Sequence, residues 1–139
     1  MLKILFLVLL TLTLNANTFS IASYNVENFF DLNNDNDEYS EFIPNTKSNW
    51  NQNTFNIKVN NLVKVLSDID ADIIALQEVE NRELMQLLLK KLPNYHYFSF
   101  IKYPDSAIGV GFLSKIKIKE NRQLDVKFTT KVYRPILET

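Results

Sequence analysis

Glu78, Asn25 and Arg134 are the residues whose types and positions could do chemistry together. Glu78 closes the apolar stretch 71–80 (ADIIALQEVE), which reads as a short buried strand ending on an acid. The C-terminal edge of a strand is where an open α/β sheet holds its ligands. An uncompensated charge there is costly, so it calls for a cation or for hydrogen-bond donors. Asn25 ends an earlier alternating stretch, 18–26, and its amide both donates and accepts. Arg134 precedes Pro135 and offers a planar fork of donors suited to phosphate oxygens. A hard cation such as Mg²⁺ needs few protein ligands, one or two carboxylates, with water and substrate phosphate completing its shell. A Glu beside an Asn meets that requirement. Each residue also has a plainer explanation: a solvated or Lys-paired Glu, a turn-forming Asn, a surface Arg. Convergence on one sheet edge separates the two accounts.

The elements that must position these residues can be read from hydrophobic spacing. Residues 18–26 alternate as a strand, with Phe19 and Ile21 against Ser20 and Ala22. Phe55, Val59, Leu62, Val63, Leu66 and Ile69 recur at helical spacing, with Asn53 or Thr54 as cap. After the stretch 71–80, Asn81 caps a second helix with Glu83 in its first turn. Leu84, Leu87, Leu88 and Leu92 form its stripe, Lys90 and Lys91 sit near its C-terminus, and Pro93 stops it. The rest reads as strands: 95–101, then 108–113 with Gly109 and Gly111 on one face where a backbone comes close. Ile116 and Ile118 alternating with lysines, and Leu124, Val126 and Phe128, suggest two half-exposed, edge-like strands. A last strand begins at Arg134. The order predicts an α/β fold with a mixed sheet.

Between the first strand and first helix lies a polar connection, 31–53. A loop of that length without structure is uncommon in a compact domain unless it is functional. Asp31, Asn33, Asp35 and Asp37 have the spacing that opens a calcium-binding loop. Asn36 and Phe42 stand where that motif has its Gly and its last Glu, so the segment is expected to be solvated. His96, the single His, is expected to pack in a strand, and Glu27 and Glu80 to face solvent.

Composition narrows the classes. The 139 residues fit one domain, and the absence of Cys excludes disulfides, a thiolate nucleophile and Cys-based zinc sites. Residues 1–89 hold 5 Lys+Arg against 12 Asp+Glu, and residues 90–139 hold 10 against 4. An acidic part beside a basic part suits a metal-dependent site for an anion, and also two solvated faces. Residues 1–16 are expected to be a signal peptide. Lys3 precedes the apolar run 4–14, which is too short to span a bilayer, and Ala16 offers a cleavage point. A periplasmic or secreted protein without a stable membrane anchor follows, with residues 17–139 as the mature domain.

The stretch 23–31 (SYNVENFFD) resembles the first motif of the endonuclease/exonuclease/phosphatase superfamily, the deoxyribonuclease I-like and exonuclease III-like proteins. The stretch 72–78 (DIIALQE) resembles its second motif. Residues 108–115 (IGVGFLSK) resemble the Gly-containing strand that follows, and 133–137 (YRPIL) the Arg-Pro strand. The resemblance covers about 19–139. It implies half of a four-layer α/β/β/α sandwich, with helices on one face of the sheet. It also implies Glu78 as ligand of Mg²⁺ (or Mn²⁺/Ca²⁺), Asn25 as its hydrogen-bonding neighbour, and Arg134 near the substrate phosphate. The implied chemistry is metal-assisted attack of water on a phosphoester, nucleic acid or another. The later Gly-Asp-x-Asn and Ser-Asp-His motifs do not occur in the sequence. The expected product is therefore an N-terminal part of such a domain, an exported nuclease lineage with little activity of its own. The alternative is a non-catalytic truncated product, subunit or binding module completed by a second chain.

Overall fold

The computed structural model describes residues 18–128, 131–132 and 135–139. The element order is β1 (Ile21–Phe29), a 3₁₀ turn (Ser40–Phe42), α1 (Gln52–Ile69), β2 (Ile73–Val79), α2 (Arg82–Lys91), β3 (Tyr97–Ile101) and β4 (Gly109–Ser114). Four short strands follow: β5 (Arg122–Leu124), β6 (Lys127–Phe128), β7 (Lys131–Val132) and β8 (Ile136–Glu138). The main sheet has the order β1-β2-β4-β3, with β5-β8 and β6-β7 as separate two-stranded pairs. β1 and β2 run parallel because α1 carries the chain back between them, while β2–β4 and β3–β4 are antiparallel. This mixed sheet with its helices is half of an α/β sandwich, as the sequence leads one to expect.

Alternation along β2 fixes which face is covered. Ile74, Leu76 and Val79 are buried, and they share a core with Leu113 of β4, Val59, Leu62 and Leu66 of α1, and Leu84, Met85 and Leu88 of α2. Both helices therefore lie on one side of the sheet. Each fully buried aliphatic side chain contributes about 1.5–3 kcal/mol relative to exposure. The two glycines of β4 behave as their spacing predicts. A Cβ on Gly109 would lie 2.3 Å from the Ile101 carbonyl oxygen, and one on Gly111 2.7 Å from that of Ser99 and 2.9 Å from Met85 Cε.

Several local expectations are corrected. The cap of α1 is Asn51. Its side chain accepts from the amides of Asn53 and Thr54, and Thr54 Oγ1 accepts from the Asn51 amide, a reciprocal capping box. The alternating Ile/Lys segment forms no strand: Ser114 Oγ bonds both the amide and the carbonyl of Ile116, and that turn takes the chain off the sheet.

The 31–53 connection is neither structureless nor simply solvated. Phe30 stacks on Phe42 at 4.7 Å, Phe42 meets Trp50 edge-on at 5.1 Å, and Trp50 meets Phe55 at 6.2 Å. The Trp50 indole donates to the Asp31 carbonyl at 2.7 Å. An aromatic ladder from β1 to α1 thus orders the loop, and Lys102 on the far side ion-pairs Asp37 at 2.9 Å.

Candidate metal-binding corner

β1 and β2 both leave regular pairing at the same level. Asn25 pairs with Gln77, and pairing resumes only at Phe29 with Val79, so three residues of β1 oppose Glu78 alone. Across β2, Gln77 pairs with Val110 and Val79 with Gly109, which leaves Glu78 as an extra residue on that side too. Glu78 takes φ 68°, and Glu27 and Asn28 opposite take φ 57° and 60°. Left-handed backbone at non-Gly residues costs about 1–3 kcal/mol each and concentrates at functional sites. Bulges of this kind re-aim a side chain.

The polar contacts of the corner are local. The Asn28 amide donates to Glu78 Oε2 at 3.2 Å, and the Glu27 amide donates to Asn25 Oδ1 at 2.8 Å. Asn25 is exposed and Glu78 half-buried. Lys58 of α1 donates to the Glu27 carbonyl at 2.9 Å. Burial lowers the Lys58 pKa, and the nearby carboxylates of Glu27 and Glu78 oppose that shift. The corner thus offers hard oxygen donors, Glu78 and the Asn25 amide, on adjacent strands one residue out of register. That donor set fits a hard divalent cation.

Glu80 departs from expectation most. It is 1% exposed rather than solvated. Its Oε2 accepts from the Asp31 amide at 2.7 Å and from Asn81 Nδ2 at 3.2 Å, while Oε1 is buried with no hydrogen-bond partner among the described residues. Burial, opposed by the Asp31 hydrogen bond and reinforced by the charges of Asp31 and Glu38, pushes its pKa up to about 7. Carboxylate oxygens of Asp35, Glu38 and Glu80 lie within 4.8 Å of one another.

The remaining candidates separate from the corner. His96 is exposed instead of packed, and its amide donates to Ser114. Ser114 pairs with Ile73, the first residue of β2, so His96 sits at the opposite end of the sheet from Glu78. Arg134 lies outside the described residues. A cleft of about 360 Å³ lined by Ile73, Ser114, Lys117, Lys119 and Arg122 also opens at the Ile73 end, away from Glu78. Sequence reasoning missed Lys58, whose helical position gives no sign that it reaches the β1 bulge. It also missed the burial of Glu80, for which the adjacent capping Asn81 was the available clue.

Asn25 within β1 and Glu78 near the end of β2 thus meet at one bulged level of a mixed-sheet half of an α/β sandwich. Residues 20–129 match the model of the endonuclease/exonuclease/phosphatase family, and the chain belongs to that family. No curated protein and no solved structure matches the chain. The family is typically metal-dependent and acts on phosphoester or nucleic acid substrates.

Proposed function

We propose that this chain carries the metal-binding corner of a Mg²⁺-dependent phosphodiesterase of nuclease type, with Glu78 as the metal carboxylate and Asn25 beside it. The observation that carries the reading is the coincidence of two bulges at Glu78, within a segment that matches the family. A bound Mg²⁺ would polarise a phosphoryl oxygen and favour hydroxide at neutral pH. The chain's own residues hold its ligand in place. The Asn28 amide fixes one oxygen of Glu78, and the amide of Glu27 orients Asn25. Arg134 is assigned to the substrate phosphate on the resemblance of the Arg-Pro strand alone.

Among the described residues no His stands at the Glu78 end of the sheet, which supports a corner that binds metal without its own general base. Residues 1–16 are proposed to direct export. They lie outside the described residues, and that reading rests on Lys3 and the apolar run after it. Among the described residues no helix is long and apolar enough to cross a membrane.

The test is Mg²⁺-dependent cleavage of plasmid DNA and of a chromogenic phosphodiester by purified residues 17–139, with and without added imidazole. Slow hydrolysis that imidazole accelerates and Glu78→Gln abolishes is expected. Rapid cleavage without imidazole would show that the chain holds its own base, and imidazole-stimulated hydrolysis surviving in Glu78→Gln would remove the assigned ligand.

A second reading, a chain completed by another polypeptide, is favoured by one observation. β1 is one of the sheet's two edge strands, and Phe19 before it and Ile21 at its start are 62% and 64% exposed.

A further inference from the structure

We propose that Asp35, Glu38 and Glu80 form a second divalent-cation site, of calcium type, distinct from the Glu78 corner. Three carboxylates from two places in the chain bring an oxygen each within 4.8 Å of one another. Calcium takes oxygen ligands at about 2.3–2.6 Å, so two of its ligands lie at most about 5 Å apart, and the three oxygens fall inside that limit. Like charges this close repel, and without a cation the arrangement works against the loop that holds it.

Surface acids often cluster without a ligand. The buried member separates this group from such clusters. Glu80 is 1% exposed, and its Oε1 has no hydrogen-bond donor among the described residues, although Oε2 is satisfied by Asp31 and Asn81. A buried carboxylate oxygen without a donor wants a cation. The other two members are held by the loop itself. Both Glu38 oxygens accept backbone amides, from Asp35 and Asn36, which brings the Glu38 carboxylate back over Asp35.

This also resolves why the calcium-like spacing of the loop lacks its final acid. Phe42 at that position turns into the aromatic ladder against Phe30 and Trp50. Glu80 supplies a carboxylate from the end of β2 instead. Asn36, where a calcium loop has Gly, takes φ 72°, a conformation Asn tolerates. Lys102, whose charge favours the ionised form of Glu80, is itself ion-paired to Asp37. The ligand class is a hard divalent ion with high coordination number, its remaining positions filled by water or loop carbonyls. Its role is to pin the 31–53 loop to the strand that carries Glu78.

Terbium, a calcium surrogate excited through a nearby indole, gives the test on the full chain. Trp50 is in the same loop, on the Asp31 carbonyl. Sensitised Tb³⁺ emission that Ca²⁺ displaces, together with a saturable rise in Tm on adding Ca²⁺, is expected. Asp35→Asn is an exposed change that leaves the fold intact. It should weaken the binding roughly tenfold or more, on the order of 1.4 kcal/mol. Glu78→Gln should leave it unchanged. The proposal is overturned if the wild-type chain shows no sensitised emission, if Asp35→Asn and Glu38→Gln bind Tb³⁺ as the wild type does, or if Glu78→Gln removes the signal. The last result would assign the ion to the Glu78 corner, and so separates the failure of this site from the failure of that one.

Discussion

The backbone amide of Asn28 donates to Glu78 Oε2 at 3.2 Å, across the level where β1 and β2 both leave regular pairing. Both residues adopt left-handed backbone there, at φ 60° and 68°. Among the described residues one amide holds the Glu78 carboxylate, an arrangement that suits the metal ligation proposed for it.

Glu78→Gly should therefore separate stability from function. Glycine adopts φ 68° freely, and the substitution is expected to stabilise the fold by up to about 1 kcal/mol despite the lost Asn28 hydrogen bond. Metal-dependent hydrolysis should disappear in the same protein. Urea unfolding and a phosphodiesterase assay check the two halves, and a destabilised variant would show that the bulge carries no strain.

Gly111→Ala is expected to destabilise by roughly 1–3 kcal/mol, because the added Cβ meets a backbone oxygen at 2.7 Å and Met85 Cε at 2.9 Å. Trimming Met85 to Ala in the same chain would relieve the contact with the side chain but not with the Ser99 carbonyl. Met85→Ala costs stability of its own because Met85 is fully buried. Denaturation midpoints of both single variants and the double variant should therefore give a Gly111→Ala cost that is reduced, not abolished, in the Met85→Ala background.

The start of α1 depends on Asn51, whose side chain accepts two amides in a capping box with Thr54. Asn51→Ala should cost about 1 kcal/mol. Asn53→Ala, at the position the hydrophobic spacing also favoured, should cost much less. Thermal melts of the two variants distinguish them.

Asp72 ties β2 to the start of β1. It accepts the amide of Ser20 at 2.8 Å and its hydroxyl at 3.1 Å, and these bonds hold its pKa below the usual 3.8. A depressed carboxylate stabilises the fold above its unfolded pKa and loses that contribution as pH falls through its folded pKa. Asp72→Asn should thus lower Tm relative to wild type at pH 7, and the gap should close progressively as the pH falls below about 4. A gap independent of pH would mean that the carboxylate charge is not involved.

The fold was largely legible because its signals are periodic. The helical stripe from Phe55 to Ile69 and the caps and charges of α2 state their elements outright, and the Gly109/Gly111 spacing announces a close backbone. The Ile116/Ile118 alternation misled because a strand also needs a partner, and Ser114 turns the chain away first. The corner was half legible. Glu78 can be placed near a strand end, but β1 runs past Asn25 to Phe29, and a bulge arises from the mismatch of two pairings that no single segment displays. The burial of Glu80 had only the adjacent capping Asn81 as a clue, because most of its surroundings come from a loop some 49 residues earlier in the chain. Lys58 reaches the corner by a long flexible stem, which helical position alone does not reveal.

The most direct measurement is Mn²⁺ titration of the Asp35→Asn chain, with the loop site weakened, against the same chain carrying Glu78→Gln. One site lost with Glu78→Gln, at unchanged Tm, is the predicted result. Equal Mn²⁺ binding by both chains would contradict the assignment of Glu78 as the metal carboxylate.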